Sequence, residues 1–184
     1  NDFQLVLGLQ NGGANYGARA TDSQGYTTLY SVIGCRAQDE DGMPEFSKRT
    51  VSTVIHEFCH SYTNPIVSAS KDLLEDSGRK MYERLGTTMS KMAYGGWEVM
   101  MYEYFVRACV VRYMHLEKGL EAAWKQAEGD IKRGFVGLDK FADKLMEYEV
   151  NRDKYPTFQD FVPELAPFFE QLASEINVLT EQEE

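Results

Sequence analysis

Along the chain, the spacing of apolar residues changes twice. Residues 3–36 read as β structure. One run extends from Phe3 to Leu9, and a second from Gly25 to Arg36 carries the β-formers Thr27, Thr28, Tyr30, Val32 and Ile33. The Gly-rich stretch between them, Gln10 to Gly17, does not match G-x-G-x-x-G and is expected to be an extended loop. After the acidic turn Asp39-Glu40-Asp41-Gly42 the period becomes helical. Val51, Val54, Ile55, Phe58 and Tyr62 fall at i, i+3, i+4, i+7 and i+11, the stripe of a helix buried along one side. Asn64-Pro65 is expected to end that helix, because proline disfavours helical geometry in the residue before it.

Shorter helices are expected over 66–76 and 79–93, split near Gly78, with Gly95-Gly96 as the next break. A long helix follows from Trp97 to Glu117, stopped by Gly119. The remainder reads as helices over 120–128, 138–151 and 158–177. Thr157 with Asp160 makes a capping box, and Pro163 and Pro167 are expected to bend or shorten the last helix. The pattern predicts one α+β domain over 1–180, a small mixed or antiparallel N-terminal sheet followed by a mostly helical remainder, with a disordered tail at 181–184.

Composition narrows the function. The 184 residues carry 19 Lys+Arg against 29 Asp+Glu, a net charge of -10. A surface that acidic repels phosphate backbones, so nucleic acid is not an expected partner. No segment has the ~18 consecutive apolar residues that a membrane-spanning helix needs. The chain starts at Asn1, directly before a strand-like run, and reads as a piece of something longer without a signal peptide. Cys35, Cys59 and Cys109 are odd in number and widely spaced, which predicts buried thiols rather than a disulfide framework. Met100, Met101 and Met114 fall at core positions of the long helix.

The decisive motif is His56-Glu57-Phe58-Cys59-His60. Residues four apart on a helix share a face, so both imidazoles point to one spot and can share a zinc ion. Glu57, about 100° round the helix from His56, can reach a water there without crowding the ligands. Catalytic zinc needs a third protein ligand and an open position for water. The candidates are Glu103, Glu98, His115 and an Asp in 72–76. Glu103 is favoured, because a carboxylate within an apolar stretch of helix is costly unless paired or metal-bound. Arg107, one turn on, is expected to position it. A further donor must stabilise the oxyanion, and Tyr94, beside Gly95-Gly96, comes before Tyr16 and His115. The strand over 27–34 is expected at a sheet edge, where Tyr30 or Ser31 would line a peptide cleft.

Val54 to Pro65 around the His-Glu motif, together with Ala93-Tyr94-Gly95, Trp97-Glu98, Glu103 followed by Val106-Arg107-Ala108, and Asn15-Tyr16-Gly17, resembles a bacterial domain-of-unknown-function family. That family has zincin-like metallopeptidase character and is common in gut Bacteroidetes. The resemblance covers most of 3–170. It implies a gluzincin arrangement with His56, His60 and Glu103 on zinc, and an exported bacterial protein whose targeting segment is absent. The expected activity is hydrolysis of peptide bonds in a peptide or protein substrate, with Glu57 as general base. The alternatives are a metal-retaining binding or scaffold module and a zinc hydrolase of a non-peptide amide or ester.

Overall fold

The computed structural model describes residues 2–46 and 50–181. The fold is α+β: a small N-terminal sheet precedes six helices. Residue contacts group into two compact units, Asn1–Thr63 and Asn64–Glu184.

The first unit holds a three-stranded sheet of β1 (Asp2–Gly8), β2 (Tyr16–Thr21) and β3 (Thr27–Gly34). Their order is β1-β3-β2, with β1 parallel and β2 antiparallel to β3. The expected edge strand, 27–34, is therefore the central one. The reason lies in the Gly-rich stretch: its end is not a loop but the start of β2. A turn closes β2 onto β3, with Asp22 accepting from the amides of Gln24 and Tyr26 and Gly25 at a left-handed φ of 82°. On β3, Thr27, Leu29, Ser31 and Ile33 are buried and the intervening residues are half-buried, the two-residue period of a strand packed on one face. The acidic turn at 39–42 closes a short hairpin of β4 (Ala37–Gln38) and β5 (Pro44–Glu45).

Helix α1 (Thr50–Ala69) does not stop at Asn64; Pro65 lies inside it. Proline removes one helical hydrogen bond, a local cost of about 3 kcal/mol. The last turns are held instead by Val67, which is fully buried, and by a 2.6 Å hydrogen bond between the hydroxyls of Ser68 and Tyr102.

Helix α2 (Lys71–Lys91) is likewise unbroken at Gly78. A Cβ there would come within 2.7 Å of the Trp97 ring, so the glycine marks a close approach rather than a helix end. Helix α3 (Trp97–Lys118) ends at Gly119, whose φ is 85°. It is followed by α4 (Leu120–Ile131), α5 (Leu138–Val150) and α6 (Phe158–Glu181). Pro163 and Pro167 lie within α6 without shortening it, since Phe161, Val162, Leu165, Phe169 and Leu172 bury one whole face. Of the tail expected at 181–184, Glu181 ends α6 and residues 182–184 lie outside the described residues.

The core of this second unit is aromatic. Phe105 packs against Phe141 and Phe169 at centroid distances of 5.0 and 5.7 Å, and Tyr104 against Phe135 at 5.1 Å. Helix α3 runs through it, with Met100 and Met101 fully buried. The three cysteines are half-buried rather than buried, and none is in a disulfide. Among the described residues no helix is long and apolar enough to cross a membrane.

The capping box forms as expected. Thr157 donates to Asp160 through its amide at 2.8 Å and its hydroxyl at 2.7 Å. Those hydrogen bonds hold the Asp160 pKa below its ordinary 3.8. A depressed carboxylate adds stability that is full above the unfolded pKa and lost as pH falls through the folded value. Thr157→Ala should lower the melting temperature by roughly 2–4 °C at neutral pH. In thermal melts, the gap from wild type should narrow as pH is lowered below the ordinary aspartate range.

Candidate metal centre

Each half of the motif helix has its own support. On α1, residues 56 and 60 are one turn apart, and their Nε2 atoms are 3.2 Å from each other. Both imidazoles are half-buried, and Glu57 between them is buried at 6% exposure. The helix lies close on β2. A Cβ on Gly17 would strike the Glu57 carbonyl oxygen and stand 2.9 Å from the His60 Cβ. Ser61 donates to the Ala18 carbonyl at 3.3 Å, and Ser31 on β3 to the Val54 carbonyl at 3.3 Å. These contacts fix the turn that carries the histidines against the sheet, and they require the glycine of the Tyr16-Gly17 pair.

Glu103 lies on α3, which is buried without a break from Glu103 to Ala108, and is itself 6% exposed. Such a carboxylate needs a partner. Arg107, one turn later, donates to its Oε2 from Nε at 3.1 Å, with Nη2 at 2.9 Å from the same oxygen. The guanidinium also donates to Asp130 Oδ1 through Nη1 at 2.5 Å and to the Tyr94 hydroxyl through Nη2 at 3.0 Å. Its flat face lies 4.4 Å from the Phe135 ring centroid. Asp130 is fully buried and accepts from Gln126 and Arg133 as well. Burial pulls the Arg107 pKa down, but the charges of Glu103 and Asp130 outweigh it and raise the net value. Tyr94 is raised by burial first, then by the Glu103 charge.

His56 and His60 each offer one ring nitrogen from neighbouring turns of α1. Two half-buried imidazoles one turn apart are donors that could hold a divalent cation, and the second unit holds a buried carboxylate of the same ligand class at Glu103.

The other third-ligand candidates are elsewhere. Glu98 accepts from the Tyr102 hydroxyl at 2.8 Å and lies 3.8 Å from Lys71. Asp76 pairs with Lys80 at 2.6 Å, and Asp72 sits in the first turn of α2. His115, in the last turn of α3, keeps a buried Nδ1 with no hydrogen-bond partner. Tyr94 bonds Arg107 and, from the same hydroxyl, Glu103. Tyr16 opens β2 and is exposed. Tyr30 and Ser31 are on the central strand, so neither offers a free backbone edge to a peptide.

Asp130 and Gln126 carry little signal in the sequence: an acid near the end of an amphipathic helix with the bases Lys132 and Arg133 just after it reads as a surface ion pair. Gly17 belongs to the Gly-rich stretch and to the Asn15-Tyr16-Gly17 part of the resemblance, neither of which points to its close approach to α1.

The fold and these residues define an α+β protein whose α1 carries a His-Glu-x-x-His pair of metal-ligand type. The chain belongs to the family described as a domain of unknown function, DUF4932, which matches residues 2–167. Neither the curated proteins nor the solved structures hold a match to it.

Removing one member of a buried ion network leaves the others unmatched. Arg107→Ala, which strands Glu103 and Asp130, should cost about 3–5 kcal/mol in urea unfolding. Gly17→Ala should lower the urea midpoint too, since the new methyl displaces either β2 or the Glu57 turn of α1.

Proposed function

We propose that this protein is a zinc-dependent peptidase in which His56, His60 and Glu103 hold the metal and Glu57 is the general base. The observation that carries the reading is the pair of half-buried imidazoles one turn apart on α1. The 3.2 Å between the two Nε2 atoms supports zinc, because two ligands of a tetrahedral zinc stand about 3.3–3.4 Å apart at ordinary Zn–N lengths. A buried ligand carboxylate held by an arginine also matches the way metal-binding side chains are oriented by their neighbours.

Zinc held there would supply Lewis-acid polarisation of a scissile carbonyl and a more acidic water. The residues of the chain do the rest. Glu57, next in sequence to a ligand and largely shielded from solvent, takes the proton of the attacking water on its carboxylate. It then passes that proton to the departing amine nitrogen. Tyr94 is the proposed donor to the developing oxyanion, with its hydroxyl held at Arg107. Arg107 keeps the Glu103 carboxylate oriented, and Asp130 keeps Arg107 in place. The substrate class is a peptide or protein. The assignment to exported bacterial proteins rests on the resemblance alone.

Purified protein should carry about one zinc per chain by elemental analysis, and His56→Ala or His60→Ala should lose it. Glu57→Gln should keep the zinc and lower cleavage of a peptide library by roughly 10²–10⁴-fold. Zinc bound without any Glu57-dependent cleavage would identify a metal-retaining binding module instead. Esterase or non-peptide amidase turnover with no peptide cleavage would move the assignment to another zinc hydrolase.

A further inference from the structure

Helices α3, α4 and α5 line an open cavity of about 420 Å³ that the proposed metal chemistry does not use. It is lined from α4 by Leu120, Ala123, Trp124 and Ala127, and from α5 by Asp139, Ala142, Asp143 and Met146. Both sets follow the i, i+3, i+4, i+7 spacing of a single helix face. The floor is apolar: Val111, Ala123, Ala127 and Ala142 are all buried. At the rim, the Trp124 ring is 57% exposed, which is unusual for a tryptophan with no structural need to face water.

Two acids at this cavity make no direct ion pair among the described residues, although Asp143 acts on Arg112 and Asp139 on Lys140 from a distance. Arg112, in the wall, is already matched by Glu149, to which it donates from Nε at 2.8 Å and Nη2 at 2.6 Å. Neighbouring Lys140 is matched by Glu175, and Lys144 by Glu147. Asp139 and Asp143, in contrast, are in no salt bridge among the described residues, and they lie one turn apart on α5. Two like charges at that spacing repel each other and weaken the helix that carries them.

We infer that this cavity is a binding site for a small organic cation, an ammonium or guanidinium group on a short apolar body. The apolar body would fill the alanine-floored cavity, the charge would meet Asp139 and Asp143, and the Trp124 face would cover it. A volume of about 420 Å³ suits a ligand of that size. The site stands apart from the metal proposal and does not depend on it.

The test is a titration of the full chain with n-hexylammonium, 1-hexanol and hexanoate, followed by calorimetry and by tryptophan fluorescence. The protein has only one other tryptophan, Trp97, so Trp124→Phe assigns the signal. Hexylammonium should bind saturably and about tenfold or more tighter than 1-hexanol, with hexanoate weakest. Asp139→Asn with Asp143→Asn should bring the ammonium down to the level of the alcohol. If that double variant fails to fold, Ala142→Met, which fills the cavity and leaves both aspartates, should abolish binding of all three. Equal affinity for the amine and the alcohol, unchanged ammonium affinity in the variants, or binding of a basic helical peptide alone would overturn the proposal.

Discussion

A carboxylate taken out of water has to be matched by charge, and the burial of Glu103 sets what its surroundings must be. Helix α3 is buried without a break from Glu103 to Ala108, and the acid at 103 is buried with it. Arg107, a turn away, answers it, but an arginine brings more donors than one carboxylate oxygen can accept. Asp130 takes Nη1, the Tyr94 hydroxyl takes Nη2, and Phe135 lies against the guanidinium face. Each member is explained by the one before it. The result is a carboxylate held in one orientation inside an aromatic core, which is what a metal ligand needs and what a purely structural acid could do without.

A comparable constraint operates on α1. The two histidines can act together only if the turn that carries them is held firmly, and here the holding is done by the backbone of β2. Gly17 lets the Glu57 carbonyl come closer than any side chain would permit. Ser31 and Ser61 add hydrogen bonds to backbone carbonyls on either side of the motif. Pro65, which would ordinarily end the helix, is carried inside it because the turns beyond are buried and hydrogen-bonded.

The cavity walled by α4 and α5 follows a different logic. Helix α3 supplies the core there, and the two helices leave between them a space with small residues beneath and larger ones around it. Alanine at 123, 127 and 142 creates the room. Two aspartates without a direct ion pair give that room a sign. Nothing in the packing of the aromatic core calls for either feature.

Much of this was legible along the chain. The helical period from Val51 to Tyr62, the His-Glu-x-x-His spacing, the anomalous acid at 103 with an arginine four residues on, and the Thr157–Asp160 cap are all short-range patterns. Helix geometry converts such patterns directly into neighbours in space. The tertiary structure alone decided that β3 is central, that α1 passes through Pro65, that Gly78 and Gly17 mark close approaches, and that Asp130 meets Arg107. Local rules assign a proline or a glycine a fixed cost. Whether that cost breaks a helix depends on what is buried beyond it, and which strand becomes central depends on pairings made across distant positions, neither of which any short window of residues contains.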